Sequence, residues 1–156
     1  MLAASTYGEP EPAAIRHDAE MDIPEALDFV RRHHHAVLAT TRGDGTPQLS
    51  PVAAAVDADG RVVVSSRETA VKTRNLRRDP RAFVCVFPDR FFGGWVQVNG
   101  STEVVSLPDA MEPLVEYYRS VSGEHPDWDE YRAAMRAERR VLLRITPTSA
   151  GPNVSG

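Results

Sequence analysis

One cysteine, Cys85, is all the chain contains, so no disulfide can form within it. Cys85 lies in the apolar run "AFVCVF", where a free thiol behaves as a small buried hydrophobe, not as an exposed nucleophile beside a cation. No apolar stretch reaches the ~18 residues a membrane helix needs. The opening segment "MLAASTYGEPEPAAIRHDAE" has no apolar run of the signal-peptide kind, so a cytoplasmic protein is expected. Neither G-x-S-x-G, H-E-x-x-H nor C-x-x-C occurs, which removes the visible apparatus of serine hydrolysis and zinc chemistry. No G-x-G-x-x-G follows a predicted strand, which disfavours a Rossmann sheet. If the chain is an enzyme, a cofactor supplies the chemistry and the protein holds it.

What is present is enough for one ordinary domain. The 156 residues are 42% hydrophobic, with 18 Lys+Arg against 22 Asp+Glu and a formal charge of -4. That balance gives no general attraction to nucleic acid, so any anion binding is local. Residues 1–20 lack periodicity and read as a disordered arm, residues 21–147 as the folded domain, and residues 148–156 as a flexible tail. Asp22 with Glu25 has the spacing of a capping box, and the apolar spacing predicts a helix over 23–34. "AVLATT", "QLSPVAAAV" and "RVVVSS" read as strands joined by the turns "RGDGTPQ" and "DADG", with Pro51 marking an edge or a bulge. "AFVCVF", "WVQVNGSTEVV" with a bulge at Gly100, and "VLLRIT" complete about six strands. Helices are predicted in "TAVKTRNLRRDP", stopping at Pro80, in "PDAMEPLVEYYRSVSG" with Gly123 as its cap, and in "DWDEYRAAMRAERR" with Asp127 and Glu130 as a capping box. Short hairpin turns with helices inserted between strands indicate a mainly β, α+β fold. We expect an antiparallel split β-barrel with flanking helices.

The positive charge is unevenly placed. "KTRNLRR", residues 72–78, holds four cations and no acid. Like charges three and four apart on a helix repel, and a lysine near a helix start opposes the macrodipole. An anion bound by the first-turn amides and the ammonium together would account for Lys72, with Ser65 and Ser66 just upstream as further donors. The plainer reading, a solvated helix with C-terminal arginines complementing the dipole, suits Arg77 and Arg78 but not Lys72. His33, His34 and His35 are consecutive, so they do not converge as metal ligands do, and a helix C-terminus accounts for them. His125 is open to a general acid or base role, but Asp127 has a cap to serve, and Trp128 and Tyr131 have the spacing of packing residues. Trp95 follows Gly93-Gly94 and could stack on a planar ligand or on the core.

The succession "VLATTRGDGTPQLSPV", "VVVSS", "AVKTRNLRRDPRAFVCVF" and "GGWVQVNGSTEVV" resembles the flavin/deazaflavin oxidoreductases of split β-barrel fold, the relatives of pyridoxamine 5'-phosphate oxidase. The likeness is greatest to the actinobacterial branch that uses the deazaflavin coenzyme F420. It covers about residues 23–146, and K-T-R-N-L-R-x-D-P-R is its most specific piece. The resemblance implies a homodimer with two cofactor sites at the subunit interface and a small-molecule substrate. It aligns Thr41 and the hairpin after it with the deazaflavin ring, with Pro47, Gln48, Leu49 and Ser50 at the ring edge. Ser65, Lys72 and Asn75 match positions that hold the phosphate-bearing tail, and Trp95 matches a residue that closes the site from the second subunit. That tail carries a phosphodiester and several carboxylates. Arg74, Arg77 and Arg78 are tail contacts or plain surface charge, Arg78 being counted with the binding set. FMN is the alternative cofactor, and a non-catalytic carrier the alternative to an enzyme. Ala70 departs from the pattern, since some relatives carry a basic residue there.

Overall fold

The computed structural model describes residues 21–152. The chain runs α1 (Ile23–Arg32), β1 (His35–Thr41), β2 (Pro47–Ala53), β3 (Ala55–Val56), β4 (Val62–Arg67), α2 (Val71–Arg78), β5 (Arg81–Phe87), β6 (Val96–Val105), α3 (Met111–Ser122), α4 (Trp128–Ala137) and β7 (Arg140–Gly151). The seven strands form one antiparallel sheet in the order β2-β1-β5-β6-β7-β4-β3. The residues expected as a disordered arm, 1–20, and residues 153–156 of the expected tail lie outside the described residues.

The expected second strand, "QLSPVAAAV", is two strands. It breaks at Ala54, whose N–H donates to the His34 carbonyl at 2.8 Å and whose carbonyl accepts from His34 Nδ1 at 2.7 Å. Before the break β2 pairs with β1, and after it β3 pairs with β4. These are the two ends of the strand order, so the bend at Ala54 curls the sheet into a split barrel. Pro47 and Pro51 fall on β2, an edge strand, where a missing N–H is tolerated. Even-numbered residues of β1 and β5, among them Leu38, Val84 and Val86, point into the barrel with Val30 of α1. Leu76 of α2 joins the same core. A second core lies on the outer face of β3, β4 and β7, where Leu114 and Val115 of α3 and Tyr131 of α4 cover Val63 and Leu142.

Local signals hold with some exceptions. Asp127 accepts from the amides of Asp129 and Glu130, Gly123 ends α3 at φ 82°, and α2 stops before Pro80. Asp22 occupies the N-cap of α1 but makes no side-chain cap bond, because Pro24 lacks one of the amides such a cap would use. α1 ends at Arg32, two residues short of the expectation, and the His33 N–H closes on the Phe29 carbonyl. The register of β6 against β7 shifts at Gly100, as expected. There a Cβ would collide with the Thr146 carbonyl and the Ile145 side chain. Residues 148–151 are not a flexible tail: β7 continues through them, Ser149 opposite Asn99 and Gly151 opposite Gln97. The long β6 offers ladder groups that would otherwise go unpaired, whereas "TPTSAG" has no apolar alternation to announce a strand. Among the described residues no helix is long and apolar enough to cross a membrane.

Candidate functional site

α2 carries the basic segment, and its two ends differ. At the start, Ala70 takes the N-cap position without a side-chain cap, and the first turn has no acid. The first-turn amides therefore lack a side-chain acceptor. The Thr73 hydroxyl donates to the Arg67 carbonyl at 2.7 Å and lies 2.9 Å from Ser66 Oγ, pinning α2 to β4 through two buried hydroxyls. Lys72, next to Thr73, is the sole lysine of the chain. Desolvation, then the nearby guanidinium groups of Arg140 and Arg67, lower its pKa from the ordinary lysine value. The nearby acids are held by arginines: Glu138 by Arg140 at 2.6 Å and Arg67 at 3.3 Å, and Glu68 by Arg77 at 2.7 Å. Arg67 and Arg140 thus share one carboxylate, Glu138, Lys72 makes no ion pair among the described residues, and an anion placed among the three would relieve their repulsion. Residue 70 is an alanine, and Arg67 and Arg140 are the basic side chains that act on Lys72.

At the other end, side chains satisfy one another. Asn75 is buried; its amide donates to Thr40 Oγ1 at 3.1 Å and its carbonyl accepts from Arg78 at 3.0 Å. Arg78 also donates to the Thr41 carbonyl at 2.9 Å, across the chain from Gly43. Thr40 Oγ1 lies 3.3 Å from Gln48 Oε1, and Gln48 Nε2 donates to Ser50 Oγ at 2.9 Å. One network therefore joins α2 to the β1–β2 hairpin through Thr41, Gln48, Ser50, Asn75 and Arg78. The hairpin itself turns through Gly45 at φ 86°, with the Asp44 carboxylate accepting from the Thr46 amide and hydroxyl. Asn75 uses both amide groups inside the protein, so its part is to orient the hairpin and Arg78. Arg77 sits on Glu68 and on Ser106 Oγ at 3.0 Å.

The remaining expected site residues are placed as follows. Leu49 is 64% exposed on the β2 edge, between Pro47 and Pro51. Ser65 lies on β4 with Val63 and Arg67, on the face opposite Ser66. Next to it Tyr117 of α3 donates to the Ala53 carbonyl at 2.9 Å. Burial pushes the Tyr117 phenol up, partly offset by the Ser65 backbone. Trp95 is not brought to the others within one chain. Its row of the sheet runs through Phe87, His35 and Ala53, six residues along β1 from Thr41, or about 20 Å at strand rise. Trp95 instead lines an apolar hollow of about 380 Å³ with Val37, Cys85, Phe87 and Phe91. Burial pushes the Cys85 thiol up, away from reactivity.

The histidines have structural uses. The His33 backbone closes α1, the His34 ring bonds the Ala54 carbonyl, and His35 approaches exposed Asp89 at 3.3 Å. His125 accepts from the Asp127 amide at 2.9 Å and packs with Tyr118, Trp128 and Tyr131. Sequence reasoning had no signal for Thr40, which joins α2 to the hairpin, or for Arg140, which is remote in sequence from Lys72.

The fold recurs in known proteins. A conserved hypothetical protein from Mycobacterium tuberculosis is 29% identical, with a TM-score of 0.69 over 86% of each chain. An F420 reductase is 23% identical, with a TM-score of 0.62 over 80% of this chain and 94% of that one. A heme storage protein from Vibrio cholerae is 17% identical, with a TM-score of 0.63 over 87% and 98%. The last two likenesses speak to fold alone. The model of the pyridoxamine 5'-phosphate oxidase family matches residues 23–152, nearly all of the described chain. The chain is therefore a member of the pyridoxamine 5'-phosphate oxidase family.

Proposed function

We propose that the protein is an oxidoreductase that uses coenzyme F420. Its substrate is an electron-poor small molecule such as an enone, a quinone or a biliverdin-like tetrapyrrole. The observation that carries the reading is Lys72: a half-buried ammonium among arginines, at an uncapped helix start, with the local carboxylates already engaged. This donor set suits a phosphodiester, which takes charge from the ammonium and hydrogen bonds from the first-turn amides. The reduced deazaflavin, when bound, supplies the hydride.

The chain's own residues bind, orient and exclude water. Lys72, with Arg67 close to it, holds the phosphate end, and Ser65, on the same face of β4 as Arg67, adds a hydroxyl donor. The network through Asn75 and Arg78 fixes the hairpin, so that Pro47, Gln48, Leu49 and Ser50 meet the ring edge at a set position. Leu49 gives that edge an apolar contact. No residue of the site stands out as proton donor, and solvent supplies the proton.

The reading includes a homodimer. Trp95 lies about 20 Å from Thr41 by strand rise, so it closes the same site only from a second copy. Exposed Phe91 and Phe92, at 73% and 86%, with Leu49 and the hollow beside Trp95, give that copy an apolar face to cover.

The test is titration of oxidised coenzyme F420 and of FMN by fluorescence, with light scattering at micromolar concentration. Tighter F420 binding by a dimer, and turnover of an enone or quinone with reduced F420, are expected. Tighter FMN binding would make the protein an FMN enzyme, F420 binding without turnover of any acceptor would make it a carrier, and a monomer that binds F420 would remove Trp95 from the site.

A further inference from the structure

A second hollow differs in charge from the α2 niche. It is a groove of about 400 Å³ between α3 and the sheet face formed by the β3–β4 hairpin and β7. None of the residues given above to the cofactor lines it. Val63 and Leu142 lie at its bottom, and Pro113 and Tyr117 of α3 form an apolar wall. The Tyr117 hydroxyl is engaged by the Ala53 carbonyl at 2.9 Å, so this wall offers bulk and not a free donor. Around the apolar surface stand four carboxylates, Asp57 and Asp59 from the hairpin and Glu112 and Glu116 from α3.

Arginine is in short supply there. Arg61 is divided between Asp57 at 2.9 Å and Asp59 at 2.7 Å, and Arg119 between Glu116 at 2.6 Å and Glu124 at 3.0 Å. Arg144 reaches Glu103 at 3.5 Å and Asp57 only at 3.9 Å, and its buried Nε hydrogen-bonds nothing. Arg132 meets Glu112 at 3.2 Å. Followed to its ends, this network holds six carboxylates, those of Asp57, Asp59, Glu103, Glu112, Glu116 and Glu124, against four guanidinium groups. The excess does not converge on a point. Among the described residues no group of three or more His, Cys, Asp or Glu side chains could hold a metal ion.

Acids spread around an apolar hollow suit a cation that carries its own apolar body. A metal ion would find no converging ligands, an anion would be repelled, and a neutral apolar molecule would leave the surplus charge unanswered. We propose that the groove binds an organic ammonium, a protonated primary amine on a flat apolar body. Its head donates to Glu112 and Glu116, which are 71% and 68% exposed and so free to turn toward it. Its body covers Val63, Leu142 and Tyr117. The proposal is independent of the deazaflavin reading, since it needs neither F420 nor a hydride transfer.

The experiment is calorimetric titration of the full-length protein with tryptamine, tryptophol and indole-3-propionate, which put a cationic, a neutral and an anionic head on one apolar body. Tryptamine is expected to bind roughly tenfold more tightly than tryptophol at low ionic strength, with the gap closing at high salt, and indole-3-propionate most weakly. E112Q/E116Q leaves four carboxylates against four guanidinium groups and should bind tryptamine and tryptophol alike. Both residues are exposed, so the melting temperature should hold. S120W fills the groove from an exposed position of α3 and should abolish binding of all three. Amide NMR shifts caused by tryptamine should fall on the β3–β4 hairpin and on α3. Equal affinity of the wild type for tryptamine and tryptophol, or no binding of tryptamine, overturns the proposal. So does a folded E112Q/E116Q that keeps the preference, or NMR shifts confined to other elements.

Discussion

The two ends of α2 make an instructive pair. The C-terminal half, with Asn75 and Arg78, and the hairpin opposite it are polar, buried or bonded, and internally complete. The N-terminal half, with Lys72, is polar, half-buried and incomplete, its nearest charges of its own sign. Both halves come from one seven-residue basic run. A side chain whose hydrogen bonds are all made inside the protein acts through the shape it maintains. A side chain left desolvated among like charges is costly to the fold unless something else arrives.

The sharpest test is Lys72→Ala. If Lys72 meets a phosphate in a partly dry niche, its loss weakens F420 binding by about 1.5–3 kcal/mol, roughly 10- to 150-fold. The melting temperature of the cofactor-free protein should hardly move. Asn75→Ala should do the reverse in kind. Removing it takes one hydrogen bond each from Thr40 and Arg78 and leaves a hole at a buried site, at a cost of about 1–3 kcal/mol of stability, which for a chain of this size is roughly 2–4 °C in Tm per kcal/mol. Its effect on binding should follow the loosened hairpin; a stable Asn75→Ala protein with tens-fold weaker binding would move Asn75 from scaffold to direct contact.

Arg77→Ala should be milder. Its partners, Glu68 and Ser106, are partly exposed, so the change costs under about 1 kcal/mol of stability and shrinks in high salt. F420 affinity measured at low and high salt checks this. If Arg77→Ala weakens binding while Lys72→Ala does not, the anion lies on the other face of α2.

The smallest effect is on pH dependence. The lowered pKa of Lys72 means the unfolded chain holds that proton more tightly than the folded one. Through the window between the lowered value and the ordinary lysine 10.5, cofactor-free stability rises with pH as the penalty is relieved. Lys72→Met should therefore be slightly more stable than wild type at neutral pH, with the difference fading above that window. Denaturant unfolding across alkaline pH measures it, and a Lys72→Met protein less stable than wild type at neutral pH would mean the ammonium has a partner in the fold.

Much of this was legible beforehand. Pro80 as the stop of α2, Asp127 and Gly123 as caps, and the bulge at Gly100 are local rules, and each is present. The concentration of cations at 72–78 was equally plain, and so was the oddity of Lys72 at a helix start. The sorting of those cations was not. Arg77 is held by Glu68, nine residues away, Arg78 by Thr41, thirty-seven away, and Lys72 is pressed by Arg140 from the last strand.

By itself the sequence determined where α2 and α3 end and where α4 begins, because caps and breakers act within a few residues. It also determined that any anion site must be local, because an acidic chain placed four cations together. Only the tertiary structure decided that "QLSPVAAAV" is two strands and that "TPTSAG" continues β7. It alone decided which cations are neutralised. Strand identity there depends on whether a partner strand offers unpaired ladder groups. The state of a charge depends on what lies within a few ångströms. Both are set by chain segments distant in sequence, and no local pattern records them.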